Sequence, residues 1–151
     1  MTAPAAAPPT GRGAPIDLVL ALCLGAAQTW ACVEPWAWPL QLLAIAWLAA
    51  RVGRVSVGRA ALTGWAFGVG WFCAGTWWLF ISMHRYGGLP AWLAVLAVVA
   101  LAAFMALFLA ATMAGVAHWR SGARWRTALL FASAWLLAEL ARGVFFTGFP
   151  W

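Results

Sequence analysis

Side chains able to act as acid, base, nucleophile or metal ligand are scarce in this sequence. The carboxylates are Asp17, Glu34 and Glu139, the imidazoles His84 and His118, the thiols Cys23, Cys32 and Cys73, and there is no lysine. Cysteine spacings of nine and forty-one match neither a CxxC pair nor a zinc pattern, so no metal or cofactor is expected. A nucleophilic cysteine needs a base close by, and the two histidines fall in separate turns. Asp17 stands at the start of an apolar run, where it can cap a helix, and Glu34 lies in a proline-rich turn.

Glu139 and Arg142 are different. They stand three residues apart, on one helical surface, inside an apolar run. Counted from Thr127, Glu139 is about 18 Å along a helix axis. A charged pair in hydrocarbon is costly and marks either a packing need or a function. Two roles stay open: an ion pair that makes both charges tolerable, or a pair lining a polar cavity that receives a lipid headgroup. The run then breaks at Gly148 and Pro150 and reaches Trp151, as expected where a helix leaves a membrane.

The elements that must hold these residues are membrane helices. Hydrophobic residues make up 66% of the chain and charged residues 8%, against about 45–50% and about 25% in soluble domains. The net charge of +6 comes from nine arginines that separate apolar runs. No aromatic-interleaved basic patch points to nucleic acid, and the arginines read as topology signals.

The sequence predicts an all-α, polytopic membrane helix bundle. Residues 1–15 form a mobile cytoplasmic tail, and 16–151 form the transmembrane domain, with spans near 16–33, 36–52, 60–82, 91–118 and 127–146. A cleaved signal peptide competes for the first run, and the second is short enough to be re-entrant. With the amino terminus inside, Arg12, Arg51, Arg54, Arg59, Arg120, Arg124 and Arg126 are cytoplasmic, while Arg85 and Arg142 are on the outer side. This bias puts the carboxyl terminus outside. Gly64, Gly68 and Gly75 share one helical face and predict close helix packing. Trp30, Trp36, Trp38, Trp77, Trp78, Trp92 and Trp151 fit an outer belt, Trp47, Trp119 and Trp125 an inner one. Trp65, Trp71 and Trp135 are internal, either between helices or facing lipid.

Several stretches carry a resemblance. The run Gly64-Trp-Ala-Phe-Gly-Val-Gly-Trp-Phe-Cys-Ala-Gly-Thr-Trp-Trp78, the turn Tyr86-Gly-Gly-Leu-Pro90, the ending Glu139-Leu-Ala-Arg-Gly-Val-Phe-Phe-Thr-Gly-Phe-Pro-Trp151 and the early Glu34-Pro35 turn resemble bacterial apolipoprotein N-acyltransferases. The resemblance implies a multi-pass protein of the bacterial inner membrane. It implies transfer of an acyl chain from a phospholipid to the amino group of a diacylglyceryl-cysteine lipoprotein at the outer leaflet. It also implies a thioester on a cysteine of a periplasmic nitrilase-like domain, with a glutamate base and an oxyanion-stabilising lysine. No residue here matches those, so no catalytic residue is assigned and the chain reads as a fragment of such an enzyme. Glu139, Arg142, Gly148, Pro150 and Trp151 are then the outer rim and the candidate substrate-binding residues. A small transporter component and a non-catalytic membrane scaffold are the readings from other classes.

Overall fold

The computed structural model describes residues 14–145, and the regular elements among them are all helical. Helix α1 (Ala14–Val33) leads through a single 3-10 turn (Pro35–Ala37) into α2 (Trp38–Val52). Then come α3 (Val57–Gly75), the short α4 (Trp77–Ile81), a π-turn (Ser82–Tyr86), α5 (Ala91–Trp119) and α6 (Arg124–Phe145). Prolines set the breaks. Pro35 and Pro39 occupy first-turn positions, where a missing N–H costs no helical bond. Gly88 turns the chain into α5 with φ +67°, a value that suits only a residue without Cβ.

Three helices, α1 from Pro15 onward, α5 and α6, are long and apolar enough to cross a membrane, and α3 with its bent continuation would be a fourth. α2 has 15 residues and is about 22 Å long, short of a hydrocarbon core of about 30 Å. The span predicted at 60–82 is not one straight helix. α3 ends at Gly75, and Trp77–Tyr86 departs from its axis by 51°. Thr76, which is buried, stands at the break: its hydroxyl donates to the Phe72 carbonyl at 2.7 Å, and its N–H reaches the same oxygen at 2.8 Å. A hydroxyl bonded back into the preceding turn loosens the ladder and bends the helix. The tail expected at 1–15 and the rim residues Gly148, Pro150 and Trp151 lie outside the described residues, apart from positions 14 and 15.

α3 is the centre of the bundle, with α1 on one side and α5 on the other. α1 and α3 run parallel and meet backbone to backbone. A Cβ on Gly25 would overlap the Phe67 carbonyl oxygen and lie 2.9 Å from the Trp71 nitrogen. One on Gly70 would overlap the Leu22 carbonyl oxygen and lie 3.1 Å from the Ala26 nitrogen. On the other side α5 runs antiparallel to α3. There a Cβ on Gly64 would come 2.9 Å from Leu109 O, and one on Gly68 would come 2.8 Å from the Ala106 Cβ. At Gly75 the nearest neighbour is Thr29 of α1, at 3.7 Å, so the glycine face of α3 touches α5 at its first two positions and α1 at its last. Lipid supplies no hydrophobic drive between helices, so close packing of small residues and cross-helix hydrogen bonds hold the bundle. Two such bonds are Thr29 Oγ1 to Trp71 O at 2.8 Å and Trp65 Nε1 to Ala103 O at 3.0 Å. α5 buries Ala94, Val98, Ala102, Met105, Ala106, Leu109, Met113, Val116 and Ala117, a stripe at steps of three and four.

At one end of the bundle Asp17 accepts from Arg51 and lies 3.7 Å from Arg59. The expected helix cap is thus an ion-pair hub joining the start of α1 to the end of α2 and the start of α3. Nη1 of Arg120 donates to Val52 O at 3.2 Å and Val55 O at 2.8 Å, tying the end of α5 to the same corner. α2 therefore returns the chain to the end where α1 begins.

Candidate functional site

The site lies where α6 reaches across to α3. α6 is peripheral: of its side chains only those of Phe131 and Arg142 are buried. Phe131, Trp135 and Arg142 recur at steps of four and seven and so share a face. On α3, Phe67 and Trp71 are four apart and Phe72 adjoins. Trp135 stacks on Trp71 at 5.6 Å between ring centroids, with 21° between the planes, and meets the edge of Phe67 at 6.4 Å. Phe131 lies 5.8 Å from Trp135, and Phe72 5.2 Å from Trp71. The internal tryptophans thus lie between helices, and Trp71 and Trp135 form the floor of the site.

Arg142 covers that floor. Its guanidinium carbon stands 4.8 Å from the Phe72 ring centre and 5.7 Å from that of Trp71, within the range of a cation–π contact. Its Nη2 donates to Glu139 Oε2. The Arg142 side chain is 7% exposed and that of Glu139 32%, so the cation is the buried member of the pair and the carboxylate the more exposed one. Nη1 of Arg142 is buried and has no partner among the described residues. A buried N–H without an acceptor is costly. A guanidinium also presents a fork matched to two oxygens of a phosphate or carboxylate. Chemically the arrangement offers one neutralised cation with donor capacity left over, on an aromatic surface able to take an acyl chain.

The floor is fixed from two sides. The carbonyls of Trp71 and Phe72 accept from the hydroxyls of Thr29 and Thr76 respectively, so the α3 break sits directly beneath Arg142. The sequence flagged Glu139 and Arg142 but gave no sign of Phe72, Thr29 or Thr76, which depend on the register between helices. Gln28 was also missed. It is 4% exposed, and its Oε1 lacks a partner among the described residues.

Of the other residues that could have carried chemistry, only Cys73, which follows Phe72 on α3 and packs against its cluster, adjoins this site among the described residues. Cys23 and Cys32 are exposed, and Cys73 is partly buried. His84 Nδ1 pairs with the Leu89 carbonyl oxygen at 2.8 Å within its turn. Among the described residues no cluster of His, Cys, Asp or Glu could hold a metal.

Residues 24–151 match the family model described as the apolipoprotein N-acyltransferase N-terminal domain. The chain is 49% identical over 144 residues to the apolipoprotein N-acyltransferase of Verminephrobacter eiseniae, an overlap of 89% of this chain and 27% of the relative. The enzyme of the same name from Ralstonia nicotianae is 45% identical, over 87% of this chain and 26% of its own length. That from Pseudomonas putida is 42% identical, over 88% and 27%. The chain thus spans about a quarter of the length of these relatives.

Proposed function

This chain belongs to the apolipoprotein N-acyltransferase family, matching its amino-terminal domain, and we propose that it is the membrane platform on which such an enzyme meets its lipid. The reaction is transfer of an acyl chain from a phospholipid to the terminal amine of a diacylglyceryl-cysteine lipoprotein, at the outer face of a bacterial inner membrane. Five crossings carry the chain from an inner amino terminus to an outer carboxyl terminus. The arginine bias supports this. So does the return of α2 to the Asp17 corner, where Arg51 and Arg59 converge on one carboxylate.

The observation that carries the proposal is the buried Nη1 of Arg142, which has no partner among the described residues. The headgroup phosphate of the acyl donor, or the carboxylate or carbonyl of the lipoprotein substrate, supplies its missing acceptor. The donor's chain lies along Trp71 and Trp135. Glu139 holds the guanidinium in place and lowers the cost of keeping it there empty. Gly148, Pro150 and Trp151, the other candidate substrate-binding residues, lie outside the described residues.

The test uses the full-length gene product with Glu139→Gln, Arg142→Gln and the double variant. Stability in detergent and acyl transfer from phosphatidylethanolamine to a diacylated lipopeptide are measured. Removing one partner of a buried pair costs about 3–5 kcal/mol, so each single variant is destabilised and the double recovers. With Arg142 receiving the substrate, the recovered double remains slow by roughly tenfold to a hundredfold, the worth of a hydrogen bond to a charged group at about 1.5–3 kcal/mol. A stable double variant with full activity leaves the pair a structural one. Absence of acyl transfer by the unmodified protein overturns the enzymatic reading itself.

A further inference from the structure

At the opposite end of the bundle is a second feature, which the acyl-transfer reading does not use. A cavity of about 800 Å³ opens between the end of α2, the α5–α6 turn and the start of α6. Its lining includes Arg54, Arg120 and Arg124, with apolar walls at Ala49, Ala128 and Phe131. Among the described residues no carboxylate lines it, and the carboxylate of that corner, Asp17, is engaged by Arg51 and Arg59. Arg54 and Arg124 have no ion pair among the described residues. Arg120 donates to the carbonyls of Val52 and Val55, which fixes the mouth by joining two turns.

The cavity is graded along the helix axis. On α2 and the turn after it, the lining passes from Ala49 and Ala50 to Gly53 and Arg54. On α6 it passes in mirror order from Arg124 through Thr127 and Ala128 to Phe131. Seven residues separate Arg124 from Phe131, about 10 Å. Over that distance the walls change from cationic to apolar, and the cationic end is the end of the helices. A soluble anion would use the arginines and leave the apolar depth empty. A glycerophospholipid uses both, with its phosphate at the helix ends and its chains toward the middle of the bundle.

We propose that this cavity binds an anionic phospholipid, with the phosphate held by Arg54, Arg120 and Arg124 and the first acyl carbons against Ala128 and Phe131. It goes beyond the acyl-transfer reading and rests only on α5 and α6 being membrane helices. Each arginine lining the cavity strengthens binding about fivefold, the worth of one basic side chain against an anionic lipid. Bound here, the lipid joins α6, which packs on α5 and leaves most of its surface exposed, to the α2–α3 corner.

The test titrates phosphatidylglycerol into the full-length gene product in dodecylmaltoside and counts retained lipid by native mass spectrometry. R54Q/R124Q weakens binding about 25-fold with the helical spectrum unchanged. R54K/R124K preserves net charge and topology signals, guards against misfolding, and binds between the two because ammonium groups lack the fork. R126Q removes a positive charge at the same end but outside the cavity, and leaves binding unchanged. Three results overturn the proposal: equal retention by R54Q/R124Q and the unmodified protein, a loss in R126Q as large as in R54Q/R124Q, or equal competition by millimolar inorganic phosphate. Loss of acyl transfer in any variant is read separately, so failure here is distinct from failure at Arg142.

Discussion

Gly70→Ala inserts one methyl where α1 and α3 touch. The added carbon would overlap the Leu22 carbonyl oxygen and sit 2.9 Å from its carbon. Both obstacles are backbone, so no rotamer change makes room and α1 must move away as a body. Overpacking of this kind costs about 1–3 kcal/mol, and a rigid obstacle puts it at the upper end. Alanine returns about 1 kcal/mol as the better helix former, which leaves a net loss of about 2 kcal/mol. Gly143→Ala in α6 meets nothing within 4 Å among the described residues and takes the propensity gain alone, about 1 kcal/mol. The two variants therefore differ by about 3 kcal/mol though the chemical change is identical. Gly25→Ala wedges the same crossing, so the Gly25→Ala/Gly70→Ala double loses less than the sum of the singles. Equilibrium unfolding in mixed micelles, followed by tryptophan fluorescence, measures all four. Equal stability of Gly70→Ala and Gly143→Ala would refute the backbone contact, and strict additivity would refute the shared crossing.

Asp17→Asn removes the carboxylate on which Arg51 and Arg59 converge. The group is partly exposed, so the loss is about 1 kcal/mol. Glu34→Gln, which breaks no ion pair among the described residues, changes stability less in the same unfolding assay. Reporter fusions after Ser56, Gly88 and Gly122 give cytoplasmic, periplasmic and cytoplasmic signals; a periplasmic signal after Ser56 means that α2 does not cross.

Much of the architecture is legible in the residues because lipid and proline leave few alternatives. Apolar runs interrupted by Pro35, Pro39 and Pro90, or by arginine-rich turns, delimit the helices to within a few residues, except for the run at 60–82, which breaks after Gly75. What could not be read is which face meets which. α5 is apolar all round, so its buried stripe from Ala94 to Ala117 does not differ in hydropathy from its exposed side, where Trp92, Leu96 and Phe104 lie. In water a buried face announces itself by contrast; in hydrocarbon only side-chain size separates the two. The spacing of Gly64 and Gly68 marked a close approach without naming α5 as the partner. Gly25 and Gly70, which make the tighter contact, stand outside any repeat in their own helices. The Asp17 pairing spans 34 residues to Arg51 and needs α2 to double back. At the candidate site, Glu139 and Arg142 were visible because charge is rare in such a sequence. Their aromatic floor was not, because Trp71 and Phe72 lie on α3, with α4 and α5 between it and α6 in the chain. The bend at Thr76 was hidden because threonine is common in straight membrane helices too.

The parallel contact of α1 with α3 also sets a timetable. Forty-five residues separate Gly25 from Gly70, and a ribosome adding about 5–20 residues each second delivers the second glycine some seconds after the first. During that wait the helix emerging next is α2, which offers α1 a smaller surface. α1 must hold its place in the bilayer by its own hydropathy until a non-neighbour arrives. Its affinity for lipid is thus a requirement of birth, met early by the same Leu and Val side chains that stay on the outside of the finished bundle.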